Sequence, residues 1–322
     1  MSENSAPGVV PAWQKLFLER QRLDFAYLRE AQRWFAPLAE SLALHRSSAG
    51  SRSGGAPLLV AVNGCQGSGK TTLCAYLAAG LQARYGLRAL PLSLDDFYHT
   101  RNARQQLASA VHPLLATRGV PGTHDMALLN STLDKLLGPP EPGPVAVPRF
   151  DKARDERRRR SQWEQVEGRL DFVLLEGWCL GARPQAAMEL VRPVNELERR
   201  EDPDAFWRGY VNEALGTDFL PLYDRVDQWV MLQAPSFASV YHWRLEQEHK
   251  LADSPVADKS AVMTDAQVAR FIQYYQRLTE HCLETLPAVV DFLFTLDGKR
   301  RISASRLAGV YGVASAPNPG FA

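Results

Sequence analysis

Apolar residues follow a helical period in the first part of the chain. Between residues 13 and 46 they recur mostly at three- and four-residue spacings, which predicts helix, with Pro37 kinking or ending the first helix. The run 47–57, SSAGSRSGGAP, is rich in serine and glycine and predicts a linker. We therefore expect a helical N-terminal extension with its linker over residues 1–56, followed by the main domain over 57–322.

From residue 58 onward, short apolar runs alternate with helical patterns. The strands predicted from these runs are 58–64, 87–94, 171–177, 228–234 and 289–297. The predicted helices are 70 to Gly86, 103–110, Asp125 to about 137, 195–215, 236–251 and 264–286. The proline-rich run 138–148 predicts a rigid loop. Strands that alternate with helices indicate an α/β fold with a doubly wound parallel sheet.

Composition and charge exclude several classes of protein. Apolar residues make up 45% and charged residues 23%, and the net charge of +1 provides no global field for binding nucleic acid or membranes. No run of 18 apolar residues exists, and the N-terminus lacks the pattern of a secretory signal. Four cysteines without metal-binding spacing favour free thiols in a reducing compartment. We predict a cytoplasmic protein without nucleic-acid or membrane partners.

A phosphate-binding motif follows the first predicted strand. Residues 64–71, GCQGSGKT, fit the pattern GxxxxGK[ST] between a buried strand and a helix. Glycines let the backbone curl so that successive N–H groups face phosphate oxygens, and the helix N-terminus adds partial positive charge. Lys70 would reach the β- and γ-phosphates, and the Thr71 hydroxyl would bind magnesium. The predicted ATP contacts are Gly64, Cys65, Gln66, Gly67, Ser68, Gly69, Lys70, Thr71 and Thr72.

The acids that end the next two strands narrow the class of nucleotide-binding protein. The sequence lacks the base-reading motif of GTPases, and no candidate strand ends in Asp-Glu as in motor and helicase ATPases. Instead, Asp95 lies in SLDDFY and Glu176 lies in LEGW, at strand C-termini where α/β sites form. An acid at the tip of the second strand is placed to accept a hydroxyl proton, although a loop or helix-capping acid is the alternative. This pattern predicts a small-molecule kinase.

Several segments together resemble one kinase family. The segments GCQGSGKTT, SLDDFY, RGVPGTHD, RFDKARDERR, LEGW and YHWRLEQEHKL are similar to those of the plant- and fungal-type D-glycerate 3-kinases. That family belongs to the wider group of phosphoribulokinase, uridine kinase and pantothenate kinase. The resemblance covers roughly residues 58–300. It implies a P-loop kinase fold with a five-stranded parallel sheet of order 2-3-1-4-5, flanked by helices.

The same resemblance implies roles for particular residues. Asp95 corresponds to the aspartate proposed as catalytic base, and Glu176 would touch magnesium directly or through water. Arg244 lies on the helix expected to form a lid near 236–262, from which it would act with Lys70 on the transferred phosphoryl group. The helices at 13–46 lie outside the shared motifs, so the resemblance implies no role for them.

Two polar segments are candidates for the acceptor site. The segment 118–125, RGVPGTHD, is either a capped turn with a solvated His124 or a loop that holds an anionic acceptor. The basic run 152–160 is either a solvated helix face or a grip for anions. A bidentate guanidinium suits a carboxylate, so Arg149 and Arg154 are candidates for a clamp. The expected acceptor contacts are Asp95, Tyr98, Arg118, His124, Asp125, Arg149 and Arg154.

These observations lead to one favoured function and two alternatives. The resemblance implies ATP-dependent phosphorylation of D-glycerate to 3-phosphoglycerate, with Mg²⁺ as cofactor. The first alternative keeps the chemistry but uses a nucleoside, a pantothenate-like compound or another hydroxy acid. The second is a nucleotide-binding regulator whose run 152–160 contacts nucleic acid. The sequence leaves the oligomeric state, the pathway and the role of the N-terminal helices open.

Overall fold

A six-stranded sheet forms the centre of the molecule, in a computed structural model that describes residues 10–49, 55–139, 142–252 and 262–307. Its strands are β1 (Leu58–Gly64), β2 (Ala89–Ser93), β7 (Phe172–Gly177), β8 (Gln228–Gln233), β9 (Phe292–Leu296) and β10 (Ile302–Leu307). They lie in the order β2-β7-β1-β8-β9-β10. The first five are parallel, and β10 is antiparallel to β9.

Helices cover the sheet, and two small hairpin-like sheets lie beside it. The small sheets pair β3 (Val145–Val147) with β6 (Glu164–Val166), and β4 (Phe150–Asp151) with β5 (Glu156–Arg157). The helices are α1 (Ala12–Gln21), α2 (Phe25–Ala49), α3 (Lys70–Tyr85), α4 (Arg101–Ala110), α5 (Met126–Leu137), α6 (Ala187–Val191), α7 (Glu196–Glu201), α8 (Phe206–Ala214), α9 (Leu220–Tyr223), α10 (Phe237–Ala252) and α11 (Asp265–Thr285). In the described part of the chain, no helix combines the length and apolarity that a membrane span requires.

The α/β fold expected from the sequence is confirmed, but the expected sheet is incomplete. The five predicted strands have the relative order 2-3-1-4-5, whereas the sheet has a sixth strand, so the expectation of five parallel strands was wrong. The added strand β10 lies at the edge and is largely exposed, so its sequence contains no buried apolar run. The basic run 152–160 is not a helix face, because it contains the turn between β4 and β5.

Three expected element boundaries differ from the structure. The first helix ends at Gln21, where its C-cap residue Arg22 adopts a left-handed φ of 55°, whereas Pro37 lies inside the continuous helix α2. Residues 47–49 of the expected linker are helical, and 50–54 lie outside the described residues. The helix expected over 195–215 is divided into α7 and α8, because the Asp202 carboxylate caps the start of α8 through the Trp207 and Arg208 amides. The described residues likewise exclude 140–141 of the predicted loop and 253–261 of the predicted lid.

The N-terminal helices pack into the same core as the sheet. The rings of Trp13 and Phe17 lie against Tyr76 of α3, and Phe35 of α2 packs edge-on to Phe294 of β9 with centroids 5.5 Å apart. The strands β1 and β7 are buried over their whole lengths. This packing fixes α3, and therefore the loop that leads into it, from both sides.

Candidate active site

The loop between β1 and α3 has the backbone of a phosphate-binding loop. Gly67 and Gly69 adopt φ values of 77° and 93°, a region that non-glycine residues rarely enter. A Cβ atom at Gly64 would come within 2.5 Å of the Ser68 hydroxyl oxygen, so the curl of the loop requires glycine there. The loop delivers the chain directly into α3, whose first residue is Lys70. The amide groups at this helix start are therefore available to an anion.

A carboxylate at the tip of β7 faces the start of α3. The Thr71 hydroxyl donates a hydrogen bond of 2.9 Å to Glu176 Oε1, and Lys70 Nζ lies 3.6 Å from Oε2. Burial alone would lower the pKa of Lys70, but the charges of Glu176 and Asp95 outweigh it and raise the pKa. Lys70 therefore stays cationic at neutral pH.

Thr71 and Glu176 fit a magnesium ion. Both offer the hard oxygen ligands that Mg²⁺ prefers. The buried Oε2 of Glu176 accepts no hydrogen bond from any described residue, which leaves it free to accept a metal-bound water or the ion. No group of three His, Cys, Asp or Glu side chains with metal-binding geometry occurs in the described ranges. This donor set agrees with Mg²⁺, which commonly takes one or two protein ligands and completes its shell with phosphate and water.

Asp95 and Asp96 follow β2 in a short 3₁₀ turn, Leu94–Phe97. Side chains alternate between faces only while a strand continues, and β2 ends at Ser93, so alternation along the strand does not separate the two carboxylates. They nevertheless have different partners. Asp96 accepts hydrogen bonds from the Phe150 amide and from Arg149, which ties the turn to β4. Asp95 instead contacts Tyr98 and Lys152 beside the phosphate loop.

The environment of Asp95 keeps its carboxylate ionised. Burial would raise the pKa of Asp95, but Lys152 and Lys70 together outweigh it and lower the pKa to about 2. The Tyr98 hydroxyl donates to Oδ1 at 3.0 Å, and Lys152 Nζ donates to Oδ2 at 2.6 Å. An ionised carboxylate in this position can accept a hydrogen bond from an acceptor hydroxyl.

These groups surround one cavity of about 470 Å³. It is lined by Gln66, Gly67, Gly69, Lys70, Thr71, Thr72, Asp95, Tyr98, Arg118, Lys152, Trp178, Arg244, Gln247, Phe271 and Tyr275. The structure thus brings most of the predicted phosphate-loop residues together with Asp95, Tyr98, Arg118 and Arg244. Gly64, Cys65 and Ser68 belong to the loop but do not line this space; Cys65 and Ser68 are buried beneath it.

Four predicted acceptor contacts lie outside the cavity. Arg149 is engaged by Asp96 and Glu164, and the side chain of Arg154 is 83% exposed and lies near Asp151. The expected carboxylate clamp is not formed in this structure, because ion pairs hold Arg149 away from the cavity and the turn between β4 and β5 directs Arg154 to solvent. Asp125 caps α5 through the Leu128 amide, as the capped-turn alternative required, and pairs with Arg157.

His124 is a buried neighbour of the site rather than a solvated or substrate-facing residue. It is 3% exposed, and its ring stacks on Tyr98 with centroids 4.4 Å apart. Neither ring nitrogen has a hydrogen-bond partner among the described residues. Burial lowers the pKa of His124 to about 3, so the ring is neutral at physiological pH. It supports Tyr98 and, through Tyr98, Asp95.

Arg244 projects from α10 over the cavity. Its guanidinium pairs with Glu248 and Gln247 of its own helix, and it lies 5.6 Å from the centroid of the Phe271 ring. The neighbouring segment 253–261 lies outside the described residues. Arg244 therefore lines the same cavity as the phosphate loop, where a guanidinium can contact a bound phosphate group.

Sequence reasoning missed several cavity residues. Lys152 lay inside a basic run that gave no sign of which cation faces the site. Trp178 lies two residues after Glu176, and its indole N–H donates to the Gly119 carbonyl at 3.0 Å, while Tyr275 of α11 packs edge-on to it at 4.9 Å. Three of the missed residues lie in segments shared with the resembled family, namely Trp178 in LEGW, Lys152 in RFDKARDERR and Gln247 in YHWRLEQEHKL. Gln247, Phe271 and Tyr275 come from helices distant in sequence.

The parallel sheet, the phosphate loop and an ionised acid beside a cationic cavity define a P-loop kinase. No protein-family model matches the chain. It is similar to an uncharacterized kinase of Schizosaccharomyces pombe, 33% identical over 76% of this chain and 84% of that protein. It is 31% identical to the chloroplastic D-glycerate 3-kinase of Arabidopsis thaliana, over 77% of this chain and 53% of that protein.

A solved structure supports the same relationship. The D-glycerate 3-kinase from Cryptococcus neoformans matches with a TM-score of 0.68 and 29% identity, over 84% of this chain and 98% of that one. The resemblance expected from the motifs is thereby confirmed. The chain belongs to the D-glycerate 3-kinase family.

Proposed function

We propose that this protein transfers the γ-phosphoryl group of ATP to the 3-hydroxyl of D-glycerate, giving 3-phosphoglycerate and ADP. The observation that carries the proposal is the placement of Asp95 in one cavity with the phosphate loop and with two further cations, Arg118 and Lys152. The family relationship adds the acceptor, since two named relatives are D-glycerate 3-kinases. The cations Arg118 and Lys152 beside Asp95 suit a small anionic hydroxy acid.

The phosphate end of the cavity binds and orients the nucleotide. The amides of the curled loop and Lys70 would hold the β- and γ-phosphates, as in other P-loop enzymes. Thr71 and Glu176 would hold Mg²⁺, which neutralises charge that develops on the phosphate oxygens. Arg244 would add a second cation to the transferred group when α10 closes over it.

The acceptor end positions one hydroxyl for attack. Asp95 accepts the hydroxyl proton as oxygen bonds to the γ-phosphorus and the bond to the β-phosphate oxygen breaks. Tyr98 holds the carboxylate in place through its own hydrogen bond. Because phosphoryl transfer has a loose transition state, the positioning of the hydroxyl by Asp95 contributes more than its basicity.

An acceptor panel with coupled ADP release tests the proposal. D-glycerate, L-glycerate, glycerol, uridine and pantothenate are compared at saturating Mg-ATP. The product from D-glycerate is identified by ³¹P NMR, because the phosphorus of a 3-phosphate couples to the two protons of a methylene group and that of a 2-phosphate couples to one. We expect the highest kcat/KM with D-glycerate. A Lys70→Ala enzyme prepared in the same way controls for contaminating kinases. A much higher kcat/KM with uridine or pantothenate would establish the alternative acceptor instead.

We also propose that the protein works in the cytoplasm. Its four cysteines are free and buried, which suits a reducing compartment. Arg157 of the basic run gives the regulator alternative no support, because its side chain is largely covered and pairs with Asp125. Affinity for nucleic acid that falls steeply with salt would revive that alternative.

A further inference from the structure

Lys152 contacts the proposed catalytic carboxylate directly. It lies in the turn between β4 and β5, and its Nζ atom is 2.6 Å from Asp95 Oδ2. Its side chain is 62% exposed, whereas that of Asp95 is 22% exposed. Because the ammonium group is exposed to solvent, water screens its attraction to the carboxylate and competes for it. The contact is therefore one that another anion can displace.

The backbone that carries Lys152 is held firmly. The buried Arg104 donates a hydrogen bond of 3.0 Å to the Asp155 carbonyl and pairs with its carboxylate at 2.8 Å. Arg118 donates to the Lys152 carbonyl at 3.2 Å and pairs with Asp155. These contacts fix the backbone position of Lys152, while its flexible four-carbon side chain lets the ammonium group move.

The other partner of Asp95 cannot move in this way. Tyr98 is 3% exposed and packs between the rings of His124 and Phe150, at 4.4 Å and 5.5 Å. Its hydroxyl is therefore a fixed donor to Asp95. Of the two side chains that hydrogen-bond this carboxylate in the described structure, Lys152 is the mobile one.

We propose that Lys152 senses the carboxylate of the acceptor and frees Asp95 when that carboxylate arrives. This inference rests on the function proposed above. In the acceptor-free enzyme, the ammonium group of Lys152 donates a hydrogen bond to Asp95 Oδ2. An acceptor carboxylate that enters between Arg118 and Lys152 draws the ammonium group towards itself, and Asp95 becomes available to the acceptor hydroxyl. The same cation thus binds the substrate and releases the base.

Two consequences distinguish this role from simple binding. An acceptor that lacks a carboxylate leaves Lys152 on Asp95, so the enzyme discriminates by charge beyond what binding alone would give. Water also lacks the carboxylate, so Lys152 protects bound ATP from hydrolysis while the acceptor site is empty. Removal of the ammonium group should therefore weaken discrimination and increase ATP hydrolysis at the same time.

The experiment compares Lys152→Met with Arg154→Met, which removes a cation two residues away in the same turn. Each variant and the parent are assayed with D-glycerate, with neutral D-glyceramide, and with ATP alone. For Lys152→Met we expect the ratio of kcat/KM for D-glycerate over D-glyceramide to fall about tenfold or more, and hydrolysis without acceptor to rise. Arg154→Met should match the parent in both measurements.

Two results would overturn the inference. An equal decrease in kcat/KM for D-glycerate and D-glyceramide would show that Lys152 acts on the phosphoryl group or on the fold. An unchanged rate of ATP hydrolysis without acceptor would show that Lys152 does not restrain Asp95. A parent enzyme that does not phosphorylate D-glycerate overturns the proposed function itself, and this is seen before any variant is compared. The two failures are therefore distinguishable.

Discussion

The Thr71 hydroxyl lies 2.9 Å from the Glu176 carboxylate and donates a hydrogen bond to it across the gap between α3 and the tip of β7. The contact joins the phosphate loop to the neighbouring strand of the sheet. It also brings together two oxygen donors beside Lys70, where the phosphates are expected.

Replacement of Glu176 by glutamine should weaken magnesium binding. The amide keeps the shape and can still contact Thr71, but it lacks the negative charge that attracts the ion. We expect the Mg²⁺ concentration for half-maximal activity to rise about tenfold or more. The exposed Glu167→Gln variant serves as control, and a superimposable Mg²⁺ titration for both variants would contradict the assignment.

Replacement of each of the two adjacent carboxylates after β2 by asparagine should affect a different property of the enzyme. Asp95→Asn removes the charge of the group that faces the cavity and should lower kcat roughly 100-fold or more. Asp96→Asn weakens the contacts to Arg149 and the Phe150 amide, so it should lower the free energy of unfolding while activity falls much less. Steady-state assays and urea unfolding of both variants separate the two effects. If Asp96→Asn is the inactive enzyme, the roles must be exchanged.

Arg244 should contribute to turnover more than to ATP affinity. Its guanidinium is held by Glu248 and Gln247 in this structure. Under the proposed function, we expect its contact with the phosphoryl group to form chiefly when α10 closes over the nucleotide. Arg244→Ala should reduce kcat by a larger factor than it raises the Kd for ATP. Lys250→Ala, on the same helix and paired with Glu246, is the matched control. Equal kinetics in the two variants would indicate an ordinary surface helix.

The buried ring of His124 should make the protein sensitive to acid. Burial lowers the pKa of His124 from 6.5 to about 3, so between these values the unfolded chain binds the extra proton. The contribution of His124 to the free energy of unfolding is therefore fully present well above pH 6.5. It falls as the pH drops below that value, by up to about 1.4 kcal/mol per pH unit. Urea unfolding at pH 7.5 and 5.0 gives the free energy of unfolding at each pH. Its decrease between the two values should be about 2 kcal/mol smaller for His124→Phe than for the parent. Parallel losses in both proteins would refute this.

Local sequence patterns predicted the elements and the phosphate end of the site. The glycine spacing of residues 64–71 dictates the loop conformation by itself, and the acids that follow β2 and β7 are adjacent to apolar strands. The acceptor end could not be predicted in the same way. Which cation of the run 152–160 faces Asp95 depends on the hairpin, and the hairpin is oriented by Arg104, which lies far earlier in the chain. Arg154 was a candidate by chemistry alone, and the turn directs it to solvent.

The edge strand β10 and the split of the helix over 195–215 escaped prediction for a related reason. An exposed edge strand needs no apolar run, so its hydrogen bonds to β9 are the only sign of it. The break between α7 and α8 depends on Asp202, whose carboxylate accepts a hydrogen bond of 2.8 Å from the Trp207 amide. A helical pattern alone does not reveal such a cap.

The packing of Phe35 against Phe294, and of Arg46 against Asp171, determines how far the chain can be shortened. A truncated chain that begins at residue 57 would retain every predicted phosphate and acceptor contact, yet it would open Tyr76 and Phe294 to water. Such exposed aromatic surface favours self-association. Recombinant production of a minimal enzyme should therefore start at or before residue 10, and the serine- and glycine-rich run is the wrong place to cut.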